Sequence, residues 1–210
     1  MNSSTQKFEI AGSAGVIEGL IDEPADVPAD QWRGTAVIAH PHPLFGGTMD
    51  NKVVQTMARG FVQTGWRAVR FNFRGVGGSA GVHDNGAGEL QDMLAVVAHA
   101  AGSGPLALAG FSFGAFVTSH ALAALSASEP AKVVLVGTAA SRFSVAPVAQ
   151  AFHDRTLVLH GEQDDTVPLS DVMDWARPQS LPVTVVPGGG HFFHGQLPLL
   201  RSLVVRHLMA

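Results

Sequence analysis

The sequence predicts an α/β fold with an open, mostly parallel sheet and helices on both of its faces. Short apolar runs alternate with segments of helical period through most of the chain, and parallel strands joined by crossover helices produce that alternation. The chain has 210 residues, of which 46% are hydrophobic and 14% charged. This length suffices for one substantial core and is short for two, so we expect residues 1–210 to form a single domain.

The first third of the chain begins with two short apolar strands, at Val16–Ile21 and Thr35–Ala39. Apolar residues at helical spacing then predict a helix over Met49–Thr64. Ala68–Phe73 is predicted to be the next strand because apolar and polar side chains alternate along it. A glycine-rich turn at Gly75–Gly81 ends this region.

The central region is predicted to contain a helix at Gly88–Ala100, a buried strand at Leu106–Ala109 and an Ala- and Leu-rich helix at Ala115–Leu125. It carries few charges, but breaks at Gly102–Pro105 and Ser112–Gly114 divide it. The pieces are shorter than the roughly 20 residues that a membrane-spanning helix needs. We therefore expect no membrane span.

The last third is predicted to alternate strands and helices. Apolar, mostly β-branched runs indicate strands at Lys132–Val136, Thr156–His160 and Val183–Val186. Helices are expected at Ser170–Ala176 and Leu197–Leu208.

The overall charge excludes some classes of partner. The net charge is −4 and the 13 Lys and Arg residues are scattered, so no basic stripe favours nucleic acid or anionic lipid. The chain has no cysteine, which removes disulfides, thiolate metal sites and cysteine nucleophiles. The first seven residues carry no apolar stretch of signal-peptide length. A cytoplasmic location is the expectation.

Ser112 lies in the pentapeptide Gly110-Phe111-Ser112-Phe113-Gly114, between a predicted strand and a predicted helix. Such a turn holds the serine in a strained backbone conformation, and the residues two places to either side must be small so that strand and helix pass closely. Gly110 and Gly114 meet that requirement. The pattern therefore predicts a nucleophilic serine at position 112.

Polar residues follow other predicted strands at the edge where open α/β sheets bind ligands. Asp164 and Asp165 come shortly after the strand that ends at His160, and His191 follows the last strand through a glycine loop. A serine hydroxyl needs an imidazole to take its proton and a carboxylate to orient that imidazole. We expect Ser112, His191 and either Asp164 or Asp165 to meet at this edge.

Such a reaction builds negative charge on a carbonyl oxygen, which calls for two backbone N–H donors, an oxyanion hole. Phe113, directly after Ser112, is expected to supply one of them. The second is expected from the loop after Thr35–Ala39, where the prolines have no N–H. His42 and Leu44 remain as candidates.

Five segments together resemble the successive landmarks of the α/β-hydrolase superfamily, over about residues 15 to 208. They are His40-Pro41-His42, Phe73 to Ser79, Gly110 to Gly114, His160 to Pro168 and Gly189 to Phe193. More narrowly, the run from His40 to Lys52 resembles small, lidless bacterial serine hydrolases loosely related to dienelactone hydrolases. The resemblance implies an α/β-hydrolase fold with little or no cap, and cleavage of esters or thioesters through an acyl-serine intermediate.

The resemblance also implies roles for single residues. The acid of the superfamily usually stands three places before a Val-Pro pair, which selects Asp164 over Asp165. Its histidine follows the glycine loop directly, which selects His191 over His194. Families with a His-Gly pair in the first loop favour His42 as the second oxyanion donor, although the extra proline here departs from their pattern.

The substrate site is expected to be an open, shallow cleft, because only Gly137–Arg155 stands where larger relatives insert a helical cap. It is expected to be lined by phenylalanines: Phe45, Phe111, Phe113, Phe143 and Phe192. Such a cleft suits small-molecule acyl esters or thioesters. No cofactor and no metal are expected, and the oligomeric state is left open.

Other patterns suggest different chemistry. Gly75–Gly81 has the spacing of a dinucleotide-binding loop, but no acidic residue stands about 20 positions further on at a strand end. His40 and His42 could chelate a metal, although prolines flank His42 and no third ligand is near in sequence. Asp164 and Asp165 could form a paired acid site. The fold could also serve as a catalytically silent binding or interaction module.

Overall fold

A computed structural model of the chain describes residues 5–25, 27–100, 104–125 and 130–210. Eight strands in these residues form one sheet: β1 (Gln6–Gly12), β2 (Gly15–Asp22), β3 (Gly34–Ala39), β4 (Trp66–Phe71), β5 (Leu106–Phe111), β6 (Pro130–Val136), β7 (Thr156–Gly161) and β8 (Val183–Val186). The helices described are α1 (Lys52–Gln63), α2 (Ala87–Ala100), α3 (Phe113–Ala124), α4 (Leu169–Ala176) and α5 (Leu197–Met209). In the part of the chain described, no helix is long and apolar enough to cross a membrane.

The strands lie side by side in the order β1-β2-β4-β3-β5-β6-β7-β8. β2 runs antiparallel to both of its neighbours, whereas every pair from β4 through β8 is parallel. The carboxyl ends of β3 to β8 therefore meet at one edge of the sheet. This arrangement is the mostly parallel sheet that the alternating pattern predicts.

Two apolar layers cover the two faces of the sheet. α2, α3 and α4 pack on one face, with Met93 and Val117 among the buried residues. α1 and α5 pack on the other, with Met57 and Val204 fully buried. The central strands are mostly apolar because both of their faces are covered. The predicted position of helices on both faces is confirmed.

β1 is missing from the predicted order of elements. It forms an antiparallel hairpin with β2, with Gln6 opposite Ile21 and Gly12 opposite Gly15. Apart from β1, the observed elements differ from the predicted ones by a few residues at their ends. The turn predicted at Gly102–Pro105 lies partly outside the described residues.

The segment between β6 and β7 leaves the sheet edge open. Residues 137–155 are all described, and their helical content is a short 3-10 helix, Gln150–Arg155. No larger cap stands in this segment over the carboxyl ends of the strands. The candidate site is therefore reached directly from solvent.

Candidate active site

Three separate strands bring Ser112, Asp164 and His191 to the open edge of the sheet. Ser112 directly follows β5, Asp164 lies in the loop after β7, and His191 lies in the loop after β8. β5, β6, β7 and β8 are parallel neighbours. Residues that are 79 positions apart in the chain thereby come within hydrogen-bonding distance.

Ser112 occupies a strained turn between β5 and α3. Its backbone has φ 57° and ψ −116°, a conformation that costs a non-glycine residue about 1 to 3 kcal/mol and that clusters at functional sites. A Cβ atom at Gly110 would lie 2.3 Å from the Gly114 carbonyl oxygen, and one at Gly114 would lie 2.5 Å from the Ala39 carbonyl oxygen. Both glycines are therefore required for this close approach.

The three side chains form one continuous chain of hydrogen bonds. His191 Nδ1 lies 2.7 Å from Asp164 Oδ2, and His191 Nε2 lies 3.0 Å from Ser112 Oγ. Because an ionised carboxylate only accepts hydrogen bonds, we assign the imidazole proton to Nδ1, which leaves Nε2 free to accept the Ser112 hydroxyl proton. All three residues are buried. This is the geometry that activates a serine hydroxyl.

The Asp164 carboxylate is held on both of its oxygens. Oδ2 accepts from His191, while Oδ1 accepts the backbone N–H groups of Thr166 at 3.0 Å and Val167 at 2.7 Å. Burial by itself raises the pKa of Asp164, but the hydrogen bonds from His191 and Val167 outweigh it and hold the pKa below its ordinary value. The group is therefore an anion aimed at the imidazole.

The competing residues point elsewhere. Asp165 is exposed and accepts a hydrogen bond from the Thr166 hydroxyl. His194 is also exposed, and its ring packs 6.0 Å from the ring of Phe192. Neither side chain takes part in the hydrogen-bonded chain that ends at Ser112.

His160 is a buried neighbour of the acid that sequence reasoning did not select. Its Nε2–H donates to the Val167 carbonyl at 2.9 Å and lies 3.5 Å from Asp164 Oδ2. Burial lowers the pKa of His160, against the opposing effects of the Val167 carbonyl and Asp164. A neutral His160 thus ties the loop that carries Asp164 back to the end of β7. Its position four residues before Asp164 is the feature of the sequence that could have identified it as a neighbour of the acid.

The two backbone donors proposed for the second oxyanion position differ in their surroundings. The Leu44 N–H donates to His42 Nδ1 at 3.2 Å and is therefore engaged. Within the described residues, the N–H groups of His42 and Phe113 have no protein acceptor. Phe113 is the first residue of α3, where helices leave N–H groups unpaired. This favours His42 over Leu44.

His40 anchors the loop that carries His42. The Phe73 N–H donates to His40 Nε2 at 3.0 Å, and His40 Nδ1–H donates to the Pro41 carbonyl at 2.6 Å. Burial lowers the pKa of His40 to about 4, so the ring is neutral. Because backbone groups use both ring nitrogens, His40 and His42 do not present a pair of free metal ligands.

A cleft of about 390 Å³ opens beside Ser112 and His191. Four of the expected phenylalanines line it: Phe45, Phe113, Phe143 and Phe192. Sequence reasoning missed three polar side chains in its wall, those of Asn51, Arg142 and Thr166. Asn51 and Thr166 lie within two of the segments that carry the resemblance, but nothing in the local pattern around Arg142 marks it as part of the cleft.

The expectation that Phe111 lines the cleft is corrected, because Phe111 is not among the residues of the cleft wall. Phe111 is fully buried in the layer beneath α1 and α5. Its ring centroid lies 4.9 Å from that of His191 and 5.8 Å from that of Phe192. Phe111 therefore supports the imidazole from below and does not face the cleft.

The glycine-rich turn after β4 encloses a carboxylate of the protein itself. Glu18 Oε1 accepts the Gly78 N–H at 2.7 Å and the Asn72 side-chain amide at 2.7 Å. A Cβ atom at Gly77 would lie 2.2 Å from the same oxygen. The glycines make room for Glu18, which occupies the space that a phosphate would need in a dinucleotide loop.

Comparisons with known proteins agree with this architecture. The sequence matches the family described as X-Pro dipeptidyl-peptidase (S15 family) over residues 24–150. It is 30% identical over 181 residues to an uncharacterized protein of Rickettsia prowazekii (strain Madrid E), which covers 75% of this chain and 71% of that relative.

Two solved structures are similar over nearly the whole chain. An α/β serine hydrolase without lid from Xanthomonas campestris is 35% identical, with a TM-score of 0.88 and coverage of 100% of this chain and 95% of that one. An α/β serine hydrolase homologue from Coxiella burnetii is 38% identical, with a TM-score of 0.82 and coverage of 99% and 98%. These matches confirm the fold class and the resemblance drawn from the sequence.

Proposed function

The chain belongs to the α/β-hydrolase superfamily and to its S15 family, and from this premise we propose that it cleaves carboxylic esters or thioesters through an acyl-serine intermediate. The observation that carries the proposal is the hydrogen-bonded series Asp164–His191–Ser112, with the serine on a strained turn. A hydroxyl in that position has both a base to deprotonate it and an approach path from the cleft.

The proposed reaction has two halves. Ser112 Oγ attacks the substrate carbonyl while His191 Nε2 takes its proton, and Asp164 stabilises the resulting imidazolium. His191 then gives that proton to the departing alcohol or thiol, which leaves the acyl group on Ser112. A water molecule, deprotonated by His191, attacks the acyl-serine, and the products are a carboxylic acid and free enzyme.

We assign the oxyanion hole to the backbone N–H groups of Phe113 and His42. Both lie next to the cleft and neither is used by a described protein acceptor. Each such donor stabilises the charged intermediate by about 3 kcal/mol. The Leu44 N–H is already bonded to the His42 ring.

Peptide cleavage is the second candidate, because the matching family is described as a dipeptidyl-peptidase. An enzyme of that class must accommodate the protonated amino terminus of its substrate, and a buried or partly buried cation calls for a carboxylate partner. No Asp or Glu among the described residues lines the cleft. This absence of acidic groups favours esters or thioesters over amino-terminal dipeptides.

A substrate panel tests the proposal. We expect the wild-type protein to hydrolyse p-nitrophenyl esters or acyl-CoA thioesters faster than X-Pro p-nitroanilides, and to become labelled by a fluorophosphonate probe. Ser112→Ala should abolish labelling and lower kcat at least about 10⁴-fold. Ser170→Ala, which alters an exposed serine on α4, is the matched control and should leave both unchanged.

The outcomes separate the three possibilities. An X-Pro p-nitroanilide as the best substrate would favour the peptidase. A wild-type protein that neither turns over any substrate nor reacts with the probe would favour a catalytically silent binding module.

A further inference from the structure

The cleft beside Ser112 has a charge opposite in sign to that of the whole chain. The chain carries a net charge of −4, yet the described residues that line the cleft include one arginine, two histidines and no carboxylate. The first N–H groups of α3 also point their partial positive charge toward this edge. A negatively charged ligand is therefore favoured in the cleft over a positively charged one.

Arg142 supplies the only full positive charge of this described wall. It lies in a tight turn after β6, in which the N–H groups of Arg142 and Phe143 donate to the Ala139 carbonyl. The Phe143 ring packs on Phe116 at 4.8 Å and on Phe113 at 5.2 Å. The backbone beneath Arg142 is thus anchored in the core while its own side chain is exposed at the cleft.

The guanidinium of Arg142 forms no ion pair and no side-chain hydrogen bond with any described residue. Arg70, Arg74 and Arg177 are paired with carboxylates, whereas Arg142 and the remaining described arginines are not. Nearby acidic groups are committed to other partners. Asp165 accepts from Thr166, and buried Glu89 accepts the N–H groups of Asp84 and Gly86. No described carboxylate lies within ion-pair distance of the Arg142 guanidinium.

We propose that Arg142 binds a carboxylate of the substrate that is remote from the scissile carbonyl, so that the enzyme prefers acidic esters. The inference rests on the proposed ester hydrolysis and names its substrate class. A guanidinium offers a planar fork of donors that matches a carboxylate. The apolar rings of Phe113 and Phe143 beside Arg142 would contact the chain that joins the carboxylate to the ester. The volume of about 390 Å³ suits a small dicarboxylic half-ester.

Matched ester pairs test this preference and show which part of the substrate carries the charge. The acyl pair is mono-p-nitrophenyl adipate against p-nitrophenyl hexanoate. The leaving-group pair is 4-acetoxybenzoate against its methyl ester. In each pair the two esters differ in one carboxylate, and kcat/KM is measured for wild type, Arg142→Gln and Arg142→Lys.

For each pair, the preference is the kcat/KM of the anionic ester divided by that of the neutral ester. We expect Arg142→Gln to lower this preference about fivefold in one of the two pairs, mainly by raising KM for the anionic ester. An exposed charge pair is worth about that factor. Arg142→Lys should retain part of the preference, and added salt should reduce it in the wild type. Arg59→Gln makes the same change in net charge from a separate groove and should leave the ratio unchanged.

The result that overturns the inference is distinct from failure of the proposed function. If neutral esters are hydrolysed and Arg142→Gln leaves both ratios unchanged, Arg142 does not select the substrate although the enzyme is an esterase. If no ester is hydrolysed by the wild type, the proposed function fails, and this inference fails with it. A loss of activity on neutral and anionic esters alike in Arg142→Gln would also count against selection by charge.

Discussion

Two of the histidine–carboxylate pairs close to the cleft, His191–Asp164 and His83–Glu89, differ in what the histidine touches. His191 has Asp164 at 2.7 Å on one nitrogen and Ser112 at 3.0 Å on the other. His83 Nδ1 lies 2.8 Å from Glu89, but outside hydrogen-bond geometry, and its Nε2 has no partner among the described residues. Proximity of an imidazole to a carboxylate therefore does not by itself mark a catalytic pair.

The carboxylates of the two pairs also serve different purposes. Asp164 directs one oxygen to His191, because backbone N–H groups hold the other. Glu89 uses one oxygen on the Asp84 N–H and the other on the Gly86 N–H, in the turn before α2. Glu89 thus stabilises a helix start. The comparison supports the proposed role of Asp164, which keeps one oxygen for the imidazole.

The sharpest test of this comparison removes one charge from each pair. We expect Asp164→Asn to lower kcat/KM for a p-nitrophenyl ester by about 10³- to 10⁴-fold, because an amide no longer holds the imidazole in the reactive tautomer. Glu89→Gln and Asp165→Asn should stay within about threefold of wild type. Equal losses in Asp164→Asn and Glu89→Gln would break the distinction drawn above.

A smaller effect is expected at the oxyanion loop. A Cβ atom at Gly47 would lie 2.0 Å from the Pro41 carbonyl oxygen, so Gly47→Ala must shift the loop that presents the His42 N–H. We expect kcat to fall about 10- to 100-fold, with a smaller change in KM. Gly104→Ala is the control, since its Cβ would meet nothing closer than 3.8 Å. Unchanged kcat in a folded Gly47→Ala protein would contradict the assignment of His42.

The third test concerns His40, which is locked by backbone groups on both nitrogens. Burial lowers its pKa from 6.5 to about 4, so the unfolded chain binds the proton more strongly. The contribution of His40 to the free energy of unfolding is fully present above pH 6.5 and is lost as the pH falls toward 4. At pH 5 we expect a loss of about 2 kcal/mol in the free energy of unfolding.

Urea unfolding of wild type and His40→Gln at pH 7 and pH 5 checks this expectation. Between pH 7 and pH 5, the free energy of unfolding of His40→Gln should fall by about 2 kcal/mol less than that of the wild type. This holds even if the variant is less stable than the wild type at both pH values. His207, whose pKa burial also lowers to about 4, is present in both proteins and cancels in the difference. His194→Gln, at an exposed position, should retain the wild-type dependence. Identical losses in wild type and His40→Gln would refute the effect.

The fold could be predicted from the sequence wherever periodicity was strong. β3, β5, β6 and β7 are mostly apolar runs because both faces of the sheet are covered. β1 escaped prediction because only Phe8 and Ile10 of its residues are large and apolar, and both remain half-buried. A strand at the edge of a sheet buries little, so its pattern is weak.

The candidate site residues also include some that the sequence could predict and some that it could not. The local sequence was enough to predict Ser112 as the nucleophile. Gly110 and Gly114 are needed where β5 and α3 pass close to each other, and this requirement is visible in the pentapeptide itself. The burial of Phe111 was not predictable from that motif. A residue at the end of a strand that is covered on both sides is buried on either face, and the motif does not say whether it faces the cleft.

By itself, the sequence determined an open parallel sheet, a sharp turn at Ser112, and polar residues at the ends of the strands, because each of these depends on neighbours within a few positions. The family resemblance already favoured Asp164 over Asp165, and the structure places Asp164 against His191. Only the tertiary structure decided that the Leu44 N–H is already engaged and that Arg142 stands unpaired at the cleft. The physical reason is that hydrogen bonds and charge pairs act over about 3 Å in space, and residues that meet at that distance come from loops far apart in the chain.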